Sequence, residues 1–450
     1  MAFARGAGDV VIERASPVDM MELAADVGPV PAQVGAILVF GPGTRLTAGM
    51  VREALADRIR GVPRLRQRLV ATPPGCGRPV WVDDPGDDVT RHVHDLRCPP
   101  PGDEEALLRV AAGVVTRRLP PDRPLWSATL VTGLAGDACA LIVVFHHVMA
   151  DGMGGLAVLA NLVDGAAGPP PPDFPRPPPS WRELAREAAT ARLRALTRLP
   201  RGAARVRDAL AELRPGPTPR APRCSLNRPV GTRRGVGVVR ADLARVRAAG
   251  HDRGGTVNDV LLAAVGGALD SLLAQRGEHV DHVVVSAPIS GRTQAAAAGL
   301  GNEVGVVPVA VPLSGRPLDR LGSIAATTRA HKAGTRGASA ALLAPVFRGL
   351  AVLGVLRWLI ERQRLVTTFV TNLRGPDAPL SFLGSTIAEV IPLSIVAGNV
   401  PVAFAVLSYA GTLTVTVTVD LDAVPDSGVL VAALRDHFDA ITGRGQASPG

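Results

Sequence analysis

Residues 140–155 read Ala-Leu-Ile-Val-Val-Phe-His-His-Val-Met-Ala-Asp-Gly-Met-Gly-Gly. An apolar run of strand length delivers two adjacent histidines, His146 and His147, and then Asp151 and Gly152. An apolar helix follows, marked by Leu156, Leu159 and Leu162. Neighbouring side chains at a strand end point to opposite faces. Only one imidazole can therefore face a given cleft, while the other turns to the interior or to a supporting partner. Histidine is the natural general base near neutral pH, contributing about 10²–10⁴-fold when correctly placed. Asp151 can hold the turn by an ion pair or hydrogen bond, and Gly152 tolerates backbone angles closed to other residues. A bare His-His pair would read as two core histidines beside a helix cap. The full HHxxxDG spacing on a strand-to-helix turn points instead to acid–base chemistry.

Other chemistry-bearing residues are more ordinary. His92-Val-His94-Asp95 is an alternating pair beside a carboxylate, expected on an exposed strand. No third ligand stands at metal-binding spacing, so no metal is expected. Thr256 and Asp259 form a capping box at the head of an apolar helix through Leu261, Val265 and Leu269. Asp259 is thus a cap, whereas Asn258 in the first turn is a candidate for positioning substrate. Trp126, after Pro124 and Leu125, is expected to pack behind the histidine strand. Thr371-Asn372-Leu-Arg-Gly375-Pro376 carries further candidate contacts, Thr371 and Asn372, although Asn372 and Gly375 also suit a turn. No GxSxG elbow, P-loop or dinucleotide fingerprint is present.

These residues must be held by a sizeable frame. A chain of 450 residues is too long for one ordinary core, and two domains of about 200 residues each are expected. With 47% hydrophobic and 20% charged residues, disorder of the whole is excluded. No run of 18 apolar residues escapes interruption, so no spanning helix is expected. The opening residues show no signal-peptide stretch, which predicts a cytoplasmic protein. The net charge of +9 rests on arginine, Lys332 being the one lysine, and aromatics are only 3%. That composition fits an anionic membrane surface or cofactor better than nucleic acid. Cys76, Cys98, Cys139 and Cys224 form no CxxC pair and read as reduced structural thiols.

Proline punctuation divides the chain into an N-terminal part (1–168), a connector (169–223) and a C-terminal part (224–450). Within the connector, Trp181 to Arg214 carries nine arginines against four acidic residues, with leucines at helical spacing. An amphipathic helix is expected there, either solvated or lying on a membrane surface. Both flanking parts alternate strands and helices. Strands are expected at 34–40, 127–130, 138–145, 236–240, 283–287, 304–311, 366–371 and 402–408. The Thr/Leu/Val alternation of 412–419 reads as a half-buried strand.

The HHxxxDG motif, with several others in order, resembles the bacterial wax ester synthase/acyl-CoA:diacylglycerol acyltransferase family, within the chloramphenicol-acetyltransferase-like acyltransferases. Ser16-Pro-Val-Asp19 and Val34–Phe40 resemble the family's opening, and Pro124-Leu125-Trp126 its PLW motif. Asn258-Asp259 matches the ND motif, and 371–376 the NVPGP-like segment, with Leu373-Arg374 in place of Val-Pro. Gly398-Asn399 and 405–411 resemble its last strand pair. The resemblance implies an α/β fold of two chloramphenicol-acetyltransferase-like subdomains with the active site in the cleft between them. It implies acyl transfer from acyl-CoA, as co-substrate with no bound cofactor, to diacylglycerol or a fatty alcohol. His147 would be the base, with His146, Asp151 and Gly152 supporting it. Peripheral attachment to the membrane or lipid droplets would follow from such substrates. The rivals are a condensation-like acyltransferase using carrier-bound acyl groups and a catalytically weak lipid-binding protein.

Overall fold

The computed structural model describes residues 12–26, 28–86, 88–149, 152–165, 174–197, 220–289, 305–332, 349–350 and 353–443. Asp151, Pro169 to Pro172 and residues 198–219 of the connector lie outside the described residues.

Two mixed six-stranded sheets form the frame. The first runs, in spatial order, β12 (Ser381–Phe382), β13 (Ser385–Leu393), β2 (Gln33–Phe40), β7 (Ala140–His146), β6 (Trp126–Thr132) and β5 (Val93–Arg97). The second runs β10 (Gly305–Pro312), β9 (His282–Ile289), β11 (Thr368–Arg374), β14 (Val402–Tyr409), β15 (Thr412–Asp420) and β8 (Arg234–Asp242). A small third sheet joins β1 (Glu13–Arg14), β4 (Val80–Asp83) and β3 (Gln67–Val70). The helices are α1 (Pro17–Ala25), α2 (Ala48–Arg58), α3 (Glu104–Thr116), α4 (Gly152–Leu162), α5 (Trp181–Thr197), α6 (Leu243–Asp252), α7 (Val257–Gln275), α8 (Pro317–Lys332), α9 (Val355–Ile360) and α10 (Ser427–Thr442).

Local chemistry sets the helix starts. Ser16 caps α1 in a full capping box with Asp19, and Pro17 opens the helix where its missing N–H costs nothing. Asp103 caps α3 by accepting from Ala106 N–H at 2.9 Å. Asp259 closes the box of α7, taking Thr256 N–H at 2.7 Å and the Thr256 hydroxyl at 2.8 Å. It also takes the Thr328 hydroxyl at 2.7 Å, so its capping role holds. With 19 residues, α7 is long and apolar enough to cross a membrane by length and composition. It is nonetheless the core helix of the second sheet, with Val260 to Val265 fully buried. Burial inside protein, not lipid, accounts for its composition.

Three sequence expectations need correction. The division at 223/224 does not separate the sheets, because β12 and β13 come from the C-terminal part yet complete the first sheet. There β13 pairs antiparallel with β2, Ile391 opposite Ile37, and its buried Ile387, Val390 and Ile391 cover an otherwise open strand edge. Strand β15 is buried on both faces, not one. Its Leu/Val face enters the C-terminal core, while Thr414, Thr416 and Thr418 are buried on the other, where Thr414 meets Glu389 of β13. His92 is no surface residue. It is 1% exposed and stacks on Trp126 with ring centroids 4.4 Å apart. No metal-binding group of histidine, cysteine or carboxylate occurs among the described residues.

Helix α5 confirms the helical reading of the connector as far as Thr197. It is docked, not free: Leu184 and Ala188 are buried, Leu184 beside Cys76, Val80 and Val82 of the small sheet. Arg14 Nε donates to Glu187 at 2.6 Å. Arg176, between Pro175 and Pro177, grips buried Asp83 through its backbone N–H and two guanidinium nitrogens.

Candidate active site

The histidine turn is built by β7, β2 and the loop ahead of β6. Strand β7 ends at His146, whose N–H donates to Leu125 O at 2.9 Å. The Pro124-Leu125-Trp126 segment thus fixes the strand end through its backbone. Trp126 is buried, and its indole N–H donates to Leu65 O at 2.8 Å. His147 N–H donates to Ala32 O at 2.8 Å, tying the turn to the approach to β2. Helix α4 begins at Gly152 and packs closely against the strand. A Cβ on Gly155 would lie 2.3 Å from the Phe145 ring, which is why this position carries no side chain.

The two imidazoles face different surroundings, as alternation predicts. His146 is buried, its Nε2 3.2 Å from Asp26 Oδ2 and its Nδ1 accepting Val148 N–H at 3.1 Å. A nitrogen that accepts from a backbone N–H carries no proton, so Nε2 is the protonated one and donates to Asp26. Both ring nitrogens of His146 are therefore committed. His147 is more open, about a quarter exposed, with Nδ1 3.6 Å from Glu22 Oε2. The pair divides into a supporting histidine and a solvent-facing one.

Asp26 and Glu22 were not singled out by the motif reading. Asp26 also accepts Ala32 N–H at 3.0 Å and Arg118 Nη1 at 3.0 Å. Burial pushes its carboxyl upward. The His146 hydrogen bond, the Ala32 N–H and the Arg118 charge outweigh that and hold it below the ordinary carboxylate range. A signal was present in the sequence: Asp19, Glu22 and Asp26 recur at i, i+3 and i+7, one face of α1. Asp151, assigned the supporting role from the motif, lies outside the described residues.

The remaining candidates sit in the other half. Asn258 is half-buried in the first turn of α7. Thr371 and Asn372 are half-buried in β11, opposite Ala405 and Val406 of β14. Asn372 stands in a strand and not in the alternative turn, because β11 continues to Arg374. Arg374 has the backbone N–H that proline at this position would lack, so nothing here forces the strand to stop. Gly375 then donates to Ser408 O at 2.9 Å, and a Cβ there would lie 2.5 Å from that oxygen. Pro376 O accepts Ala410 N–H at 3.1 Å. Gly375 and Pro376 are thus structural.

A crevice lies between the halves; Asp26, the partner of His146, lines it, while neither histidine nor Asn258, Thr371 or Asn372 does. Ala25, Asp26, Val30 and Ala32 line one wall, and Ile360, Val396 and Gly398 line the other.

Residues 15–261 match the family described as the wax ester synthase/diacylglycerol acyltransferase catalytic domain, and residues 300–442 match its C-terminal domain. A Mycobacterium tuberculosis protein named as a diacylglycerol O-acyltransferase is 32% identical over 426 residues, 90% of this chain and 89% of that one. A second protein of that organism, named likewise, is 30% identical over 413 residues, 89% and 84% of the two chains. Among solved structures, the wax ester synthase/diacylglycerol acyltransferase of Marinobacter aquaeolei VT8 aligns with a TM-score of 0.69 at 21% identity, covering 96% and 99%. A starter condensation domain variant of rhizomide synthetase, solved with C8-CoA, aligns with a TM-score of 0.58 at 16% identity, covering 96% and 94%. These likenesses bear out the expected α/β fold of two subdomains.

Proposed function

We propose that this chain, which belongs to the wax ester synthase/diacylglycerol acyltransferase family, moves a long-chain fatty acyl group from acyl-CoA to the free hydroxyl of diacylglycerol. Fatty alcohols would serve as second acceptors. The observation that carries the chemistry is the division of labour between the histidines. His146 is buried between Asp26 and Val148, whereas the His147 side chain is about a quarter exposed.

In the proposed reaction His147 accepts the acceptor's hydroxyl proton as that oxygen attacks the thioester carbonyl. The tetrahedral oxyanion collapses, the C–S bond breaks, and the CoA thiolate takes the proton back from the imidazolium. Ester and free CoA are the products, and no acyl-enzyme forms. The Glu22 carboxylate, 3.6 Å from Nδ1, would help orient the ring. His146, Asp26 and Asp151 would hold the turn that aims His147, with Gly152 giving it its shape. Asn258, Thr371 and Asn372 would position substrate from the facing half, with backbone N–H groups or water completing the oxyanion contacts. Acyl-CoA would be a co-substrate, with no resident cofactor. The enzyme would work at the inner membrane face or on lipid droplets, where its acceptors are concentrated. Kinship at the level of fold alone supports the carrier-dependent condensation reading, so it is not preferred.

The test is product analysis with a long-chain acyl-CoA offered alongside diacylglycerol and hexadecanol together. Triacylglycerol as the main ester is expected. Formation of neither ester by the folded protein would rule the reading out.

A further inference from the structure

Helix α9 presents opposite faces to different worlds. Its inner face is anchored: Leu356 is buried, and Ile360 packs so closely on Gly398 that a Cβ there would lie 2.3 Å from Ile360 Cγ2. Gly398 also has φ +62°, a conformation that favours glycine. Asn399 locks the following loop, accepting from Gln363 Nε2 at 2.7 Å and donating to Gln363 O at 2.9 Å. The outer face is apolar and bare. Leu353 is 74% exposed, Trp358 55% and Leu365 73%, with Val355 and Leu359 exposed between them. Five large apolar side chains within 13 consecutive residues, on a rigidly seated element, are more than scattered surface hydrophobics.

The surroundings identify what covers this face. Arg362 stands over the Trp358 ring at 5.3 Å. Arg357, Arg362 and Arg364 are exposed; Arg357 pairs with the single acid, Glu361, at 2.7 Å, and Arg364 donates to Ala221 O. The Ala221 N–H to Arg364 O bond brings exposed Arg220 and Arg223 alongside. An aromatic residue beside cations, around an apolar tip, suits the headgroup boundary of an anionic lipid surface. The same helix also lines the crevice: Arg357, Ile360 and Glu361 face Ala25 and Asp26 across it. We infer that α9 and its flanks, Leu353 to Leu365, dock the protein on anionic lipid with the crevice mouth against the surface, so that a lipid acceptor passes from the surface into the crevice beside α9. The inference rests on the lipid-acylating function proposed above and names the surface that serves it. Helix α5, the described part of the basic connector, is the weaker site. It is committed to the small sheet, Arg192 donates to Gly75 O, and its exposed Trp181 and Leu193 stand about 18 Å apart.

The test is co-sedimentation of the full chain with vesicles of phosphatidylcholine, with or without phosphatidylglycerol, at low and high salt. The wild type is expected to prefer the anionic vesicles and to be weakened, not abolished, by salt. Trp358→Ser/Leu365→Ser should lower binding about tenfold or more, whereas Trp181→Ser/Leu193→Ser should leave it unchanged. If the double variant melts early, Leu365→Ser alone should still lower binding about threefold. Undiminished binding by these variants, or loss on the α5 variant instead, would overturn the inference. So would a fall in particle mass for Trp358→Ser/Leu365→Ser by light scattering, which would assign the face to a second copy of the chain. Vesicle binding needs no turnover, so absence of acyl transfer would count against the proposed reaction and not against this surface.

Discussion

The histidine pair shows how far a motif can be read and where geometry must finish the work. Spacing and strand alternation were enough to place two imidazoles on opposite sides of one turn. They could not say that His146 would spend its ring on Asp26, because that partner lies 120 residues away in the chain. Removing Asp26 should therefore be felt at both levels. In Asp26→Ala the His146 Nε2–H and the Ala32 N–H lose their acceptor, and urea unfolding should register a loss of about 1–3 kcal/mol at neutral pH. The pH dependence has a definite sign. The carboxyl is held below its ordinary value in the folded state, so its stabilisation is present above about pH 4 and is lost as pH falls through the folded value. The gap between wild type and Asp26→Ala should narrow below about pH 4. A gap that stayed constant down to acid unfolding would remove the Asp26 carboxylate from this role.

At the scale of elements, most strands and helices were legible because their periodicities are clean. The central β7 run, the apolar α7 and the capping box at Thr256 all appear where patterning puts them. What escaped was pairing across distance. Nothing local in Ser385–Leu393 says that it leaves the C-terminal half to join β2, nor that the threonines of β15 will be covered. Tyr409 is part of what holds that crossover, since its buried hydroxyl accepts Leu380 N–H at 2.7 Å and donates to Ile387 O at 2.8 Å. Tyr409→Phe leaves both groups unpaired and should cost about 1–3 kcal/mol in chemical denaturation, against near-neutrality if the strand is fixed by packing alone. Helix α4 gives a second check. The Cβ of Gly155→Ala would press on Phe145, next to His146 in the strand. Overpacking of this kind costs about 1–3 kcal/mol, and a lower melting temperature with a lower kcat is expected. A variant with unchanged melting and turnover would show that α4 can shift without disturbing the turn.

For the whole molecule, each half contributes something the other lacks. The N-terminal half carries the histidine turn with Asp26 and Glu22, while the C-terminal half supplies the facing crevice wall at Ile360, Val396 and Gly398. The crossover strand and the Arg240 bridge to Glu104 and Glu389 tie the two together. Acyl transfer through His147 is the claim on which the rest depends. Its most direct measurement is acceptor-dependent release of free CoA from a long-chain acyl-CoA, with diacylglycerol as acceptor, by wild type and His147→Ala matched for melting temperature. The wild type should release CoA only when acceptor is present, and His147→Ala should lose about 10²-fold or more in kcat. A folded His147→Ala variant that keeps more than about a tenth of wild-type kcat would contradict the assignment of His147 as the base.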